Sequence, residues 1–164
     1  MPHIFGRIFG PSVPVLTGVV LLGFAFGLPT AGAASAVSPG DRTAEAQTFA
    51  NEKLALWQQR LNLRDWNISI AVARATDLKP RTLGNIHWDT EKKTALIRVL
   101  DPTDYKLPPT EILKDIEFTV VHELVHLELA PLLTPLQRNE ASRRDEEYTV
   151  DHITDALLKL DRSR

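Results

Sequence analysis

Thr110-Glu-Ile-Leu-Lys-Asp-Ile116-Glu-Phe-Thr-Val120-Val-His122-Glu123-Leu-Val-His126-Leu-Glu-Leu-Ala130 is the stretch from which the rest of the chain is read. Leu113, Ile116, Val120, Leu124 and Leu127 recur at helical spacing and form one apolar stripe. Thr110 is placed to cap the helix and Glu111 suits its first turn. Pro131 predicts an end near Ala130. His122 and His126 stand four residues apart, about 400° of rotation, so they project about 40° apart from consecutive turns. Their ring nitrogens can meet on one ion, and imidazole at this spacing suits zinc. Glu123 is turned about 100° from His122, which lets it flank the ion without binding it. There it can take a proton from a zinc-acidified water attacking a carbonyl, and hand it to the leaving amine. The plain alternative is a helix with two ordinary histidines. Against it, two unpaired imidazoles and a carboxylate are costly in so apolar a helix.

A zinc hydrolase needs a third protein ligand. Leu129 and Leu132 occupy the positions where H-E-x-x-H-x-x-G-x-x-H requires Gly and His. The sequence predicts a last helix from about Asn139 to Leu160, written by Val150, Ile153, Leu157 and Leu160. His152 is rotated about 200° from Val150, away from that stripe, and reads as a surface histidine. Glu146 and Glu147 precede Val150 by about one turn, so either can border the buried face. Glu147 has Asp151 at i+4, where a carboxylate can fix the tautomer of a ligand histidine. Glu146 has only Val150 at that offset. An exposed acidic pair near a helix start is the plain alternative for both.

Downstream of His122-Glu123-x-x-His126, the segment Glu147-Tyr-Thr-Val-Asp151-His-Ile-Thr-Asp-Ala-Leu-Leu158 resembles the E-x-x-x-D helix of gluzincin metallopeptidases. The pattern is similar to the minimal members of that group, the minigluzincins and small phage and bacterial metallopeptidases. In element order the resemblance runs from about Asp41 to Leu160; in sequence it is confined to 116–130 and 146–158. It implies His122, His126 and Glu147 as ligands of one Zn2+ per chain, Glu123 as general base and acid, and Asp151 as a hydrogen-bonding partner of a ligand. It implies hydrolysis of a peptide or protein substrate. It leaves the oxyanion-stabilising group open among Tyr148, His152 and His87.

Upstream, Asp41 is placed to cap a first helix reaching about Leu61, with Phe49, Leu54, Trp57 and Leu61 on its apolar side. Trp66-Asn-Ile-Ser-Ile-Ala-Val72 alternates and reads as a half-buried strand. Leu83–Trp88 is a weaker strand, Thr90–Lys93 a polar turn, and Thr94–Leu100 a third strand, with the last two forming a hairpin. Trp57 and Trp66 are expected in the core. The fold class is α+β: an N-terminal helix, a small, mostly antiparallel three-stranded sheet, the motif helix and a C-terminal glutamate helix, a minimal zincin layout. By the same resemblance, Leu83–Trp88 takes the place of the edge strand that pairs with an extended peptide. Gly84 would permit close approach of another chain there. The plain reading of His87 and Trp88 is a surface histidine and a core or interface aromatic.

His3 and Arg7 precede an apolar run, Val13–Leu28, and small residues follow at Ala31–Ala36. That order reads as a secretory signal peptide over 1–36, cut after Ala36 or Ala33, leaving one domain at 37–164. The run is about 16 residues and holds Pro14 and three glycines, short of the roughly 20 residues of a spanning helix. The expectation is a secreted or periplasmic protein with no stable membrane insertion after cleavage. Arg7 is the one charged side chain in 1–36, so the remainder carries 18 basic against 21 acidic residues, which excludes a basic nucleic-acid footprint. The chain has no cysteine, so disulfides, thiolate zinc sites and thiol nucleophiles are excluded. Two further readings stand beside the peptidase: a zinc-stabilised binding module without turnover, and a zinc amidase acting on a non-protein, cell-wall amide.

Overall fold

A computed structural model describes residues 38–133, 135–136 and 139–163. The segment read as a signal peptide lies outside the described residues. The order is α1 (Pro39–Arg60), β1 (Asn67–Ala73), β2 (Gly84–Asp89), β3 (Thr94–Leu100), α2 (Pro109–Leu133) and α3 (Glu140–Arg162), with short 3-10 turns at 75–77 and 102–104. This is the expected α+β arrangement. Among the described residues no helix is long and apolar enough to cross a membrane.

The sheet order is β1-β3-β2. β2 and β3 form the expected antiparallel hairpin, with Gly84 opposite Val99 and Asp89 opposite Thr94. β1 lies parallel to β3, Asn67 opposite Thr94 and Ala73 opposite Leu100, so the sheet is mixed rather than mostly antiparallel. The physical reason lies in β3. It buries Ala95, Ile97, Val99 and Leu100 and takes the central place, while β1 keeps Asn67 and Ser69 exposed and suits an edge. The hairpin turn is held by Asp89, whose Oδ1 accepts the Glu91 and Lys92 amides.

Helix α2 is the hub. It packs on α1, α3, β2 and β3, and every residue from Thr119 to Leu127 is buried. A helix apolar on nearly all sides belongs inside a fold, and the single stripe expected from sequence understates this. Glu117 is held at the α1 interface, accepting from Trp57 Nε1 at 3.2 Å and pairing with Lys53 at 2.8 Å. Trp57 and Trp66 are buried as expected.

Three element details differ from the sequence reading. The cap of α1 is Ser38, whose hydroxyl oxygen accepts the Asp41 amide, so the helix starts before Asp41. α2 runs through Pro131 to Leu133. Pro131 sits in the last turn, where only the bond back to Leu127 is forgone before the helix ends. α3 does start at an Asn139 cap, closed by a reciprocal box with Ser142. Its buried row, however, is Glu146, Val150, Thr154 and Leu158; Ile153 and Leu160 are 37% and 56% exposed. A strict i+4 row drifts around the helix and follows the groove of α2, which admits a glutamate and a threonine that hydropathy alone assigns to solvent.

Candidate metal centre

α2 and α3 bring together His122, His126 and Glu147. His122 Nε2 and His126 Nε2 are 3.1 Å apart, and Glu147 Oε2 lies 3.3 Å from the first and 3.5 Å from the second. The two rings meet edge to face at 72°. The opposite ring nitrogens are held by carboxylates of α3: His122 Nδ1 by Asp151 Oδ1 at 3.0 Å, and His126 Nδ1 by Glu146 Oε1 at 3.1 Å. With each Nδ1–H donated to a carboxylate, both Nε2 lone pairs face the Glu147 oxygen. Three electron-rich atoms crowded together repel one another unless a proton or a metal ion lies among them. Their separations also match three corners of a tetrahedron about an ion at roughly 2.0 Å, an ordinary metal–nitrogen or metal–oxygen bond length. The three residues form a group that can hold a metal ion.

The local electrostatics carry the same signature. Burial alone would lower the His122 pKa, but hydrogen bonds to Asp151 and Glu147 outweigh it and raise it to about 9. His126 is raised likewise, its carboxylate partners Glu146 and Glu147 overcoming burial. Burial opposes ionisation of Glu147, yet the two imidazoles hold it at about 2.

Glu123 has a different environment. It is fully buried, and neither carboxylate oxygen has a hydrogen-bond partner among the described residues. Burial pushes its pKa up to about 7, against the pull of the neighbouring imidazoles. It is not part of the ligand-forming group. It lies against β2: a Cβ built on Gly84 would stand 3.6 Å from Glu123 Oε1, 2.7 Å from the Arg98 carbonyl, and in collision with Thr119 Cγ2. Gly84 is therefore needed for the close approach of α2, where the sequence reading expected approach of another chain. A bare backbone here lets two packed elements meet.

Glu146 is the site residue whose role the sequence left unread. Weighed there as an alternative ligand, it points at the far nitrogen of His126 instead. Its position one turn before buried Val150 was the available signal. Asp151 holds His122, as its offset from Glu147 predicts. His152 and Tyr148 are exposed and stack on each other with centroids 4.1 Å apart, and His152 Nδ1 bonds the Tyr148 carbonyl. His87 is half-buried on β2 opposite Leu96, its pKa lowered by burial and by the charges of Arg98 and Lys79. None of these three belongs to the ligand-forming group. Comparison with family models, curated proteins and solved structures finds no match to this chain.

Proposed function

We propose that this chain is a zinc-dependent metallopeptidase of the minimal gluzincin type, exported and freed of residues 1–36. The observation that carries the reading is the convergence of His122 Nε2, His126 Nε2 and Glu147 Oε2 at 3.1–3.5 Å beside a buried carboxylate that has no hydrogen-bond partner among the described residues. Two imidazoles and one carboxylate are the donor set of catalytic zinc, which leaves a further position open. When bound, zinc supplies Lewis acidity, acidifying water and polarising a carbonyl. Glu123, a buried carboxylate with no hydrogen-bond partner among the described residues, accepts a proton at its carboxylate and returns it to the departing amine. Asp151 and Glu146 hold the two rings in one tautomer and one orientation. β2 is an edge strand of the sheet, the kind of position at which an extended peptide backbone pairs.

The test is hydrolysis of unfolded protein by the zinc-loaded chain and by Glu123→Gln. The variant is expected to keep zinc and lose turnover; turnover at the parental rate overturns the role of Glu123. Export is tested by N-terminal sequencing of the secreted or periplasmic product.

A second reading, a zinc-stabilised module without turnover, draws on the near-complete burial of His122, Glu123 and His126, since structural zinc sites are closed. It predicts full metal loading with no cleavage of any substrate. Glu147, a quarter exposed, is not closed off from solvent as the two imidazoles are, which favours the enzyme. Peptidoglycan fragments assayed beside denatured protein separate a cell-wall amidase from a peptidase.

A further inference from the structure

The two edges of the sheet are treated differently. β2 carries Gly84 and adjoins Glu123, whereas the outer edge of β1 is occupied by side chains of α1. Gln47 Nε2 donates to the Ile70 carbonyl at 3.0 Å, and Gln47 Oε1 accepts the Val72 amide at 2.9 Å. One side-chain amide thus makes the pair of bonds that a neighbouring strand would make. Gln58 Nε2 donates to the Trp66 carbonyl at 2.8 Å and to the Leu63 carbonyl at 3.0 Å.

The spacing of these two glutamines fits the strand. Eleven helical residues rotate about 1,100°, only about 20° from whole turns, and rise about 16 Å. From Trp66, the residue that leads into β1, to the midpoint of Ile70 and Val72 is five extended residues, also about 16 Å. Each glutamine follows a buried residue, Ala46 and Trp57, so the row that overhangs β1 lies beside the row that anchors α1 in the core.

β1 has reason to be covered. Asn67-Ile-Ser-Ile-Ala-Val-Ala73 is seven residues long, with no charge and no proline. Such a strand, left open, pairs with another like it. Uncharged, it can meet its own copy antiparallel about a two-fold axis with no like charges opposed.

We propose that Gln47, with Gln58 holding the residue that leads into the strand, forms a guard that blocks pairing of β1 with β1 of a second copy of this chain. The inference does not depend on zinc or on peptidase activity. Its test is sedimentation velocity of the purified protein and of Gln47→Met/Gln58→Met, which keep side-chain length and helix propensity but lose the amides. The double variant is expected to dimerise with rising concentration, and at low concentration its Val72 amide should exchange about tenfold faster, as for one lost hydrogen bond. Gln47→Met alone repeats the measurement should the double variant fail to fold. Gln47→Glu retains an acceptor for Val72 and adds a charge at the edge, and is expected to stay monomeric. A folded methionine variant that remains monomeric, unchanged Val72 exchange, or a Gln47→Glu protein that dimerises equally overturns the proposal.

Discussion

Replacing Gly84 by alanine tests how closely the sheet must approach the motif helix. The added Cβ meets two obstacles of different kinds. Thr119 Cγ2 belongs to a β-branched side chain on a fully buried helix face and has little freedom to turn. The Arg98 carbonyl, 2.7 Å away, is backbone of the central strand and cannot turn at all without breaking the ladder. Inserting a methyl into a packed site costs about 1–3 kcal/mol. The loss of glycine's freedom in the unfolded chain returns about 0.4–1 kcal/mol. The net is a destabilisation of about 1–2 kcal/mol, a melting temperature lower by roughly 4–8 °C for a domain of this size. The assay is calorimetry of wild type, Gly84→Ala, Thr119→Ala and the double variant. Removing the Thr119 methyl relieves one of the two collisions, so the double variant is expected to be more stable than additivity gives, by about 1 kcal/mol. Turnover by Gly84→Ala is expected to fall under conditions where the protein stays folded, because β2 moves away from Glu123. A Gly84→Ala protein with parental melting temperature and activity refutes the reasoning.

Without metal, stability is expected to fall as pH rises from about 4.5 to 9. Glu123 is raised by burial from 4.5 to about 7, and His122, against burial, is raised by its carboxylate partners from 6.5 to about 9. The contribution of Glu123 is complete below pH 4.5 and is lost as pH rises through 7; that of His122 is complete below 6.5 and is lost through 9. Glu147, held at about 2, acts oppositely: its contribution is present above 4.5 and is lost as pH falls through 2. Thermal melts in chelator check the trend, and Glu123→Gln should flatten its lower half; a level profile in the parent protein contradicts it. Glu146→Gln and Asp151→Asn are each expected to weaken zinc affinity about 10–100-fold while leaving one ion per chain at saturation, since both remove a carboxylate that orients a ligand imidazole. Competition titration against a chromophoric chelator reads this, and unchanged affinity in both variants argues against it.

Much of this arrangement was legible in the sequence because helical periodicity is local. The offsets from His122 to His126 and from Glu147 to Asp151 survive folding unchanged, so the ring pair and the Asp151 bond were foreseen. The β2–β3 hairpin was likewise legible from a short polar turn. What escaped depends on contacts between distant segments. Nothing in Asn67–Ala73 alone says that it pairs parallel with β3 rather than antiparallel with β2. The buried row of α3 follows the shape of α2, so Glu146 and Thr154 go inside while Ile153 and Leu160 come out. Gly84 reads as an invitation to a ligand until Thr119 and Glu123 are seen against it. Gln47 reads as a solvated side chain of α1 until the Ile70 carbonyl and the Val72 amide are seen against it.

The account stands on Glu147 reaching the two imidazoles from the neighbouring helix. The most direct measurement is the zinc dissociation constant of Glu147→Gln against the parent protein, by chelator competition at one pH. The account predicts a loss of at least 100-fold, greater than that for Glu146→Gln, with helix content by circular dichroism preserved. Parental affinity in a folded Glu147→Gln protein contradicts it.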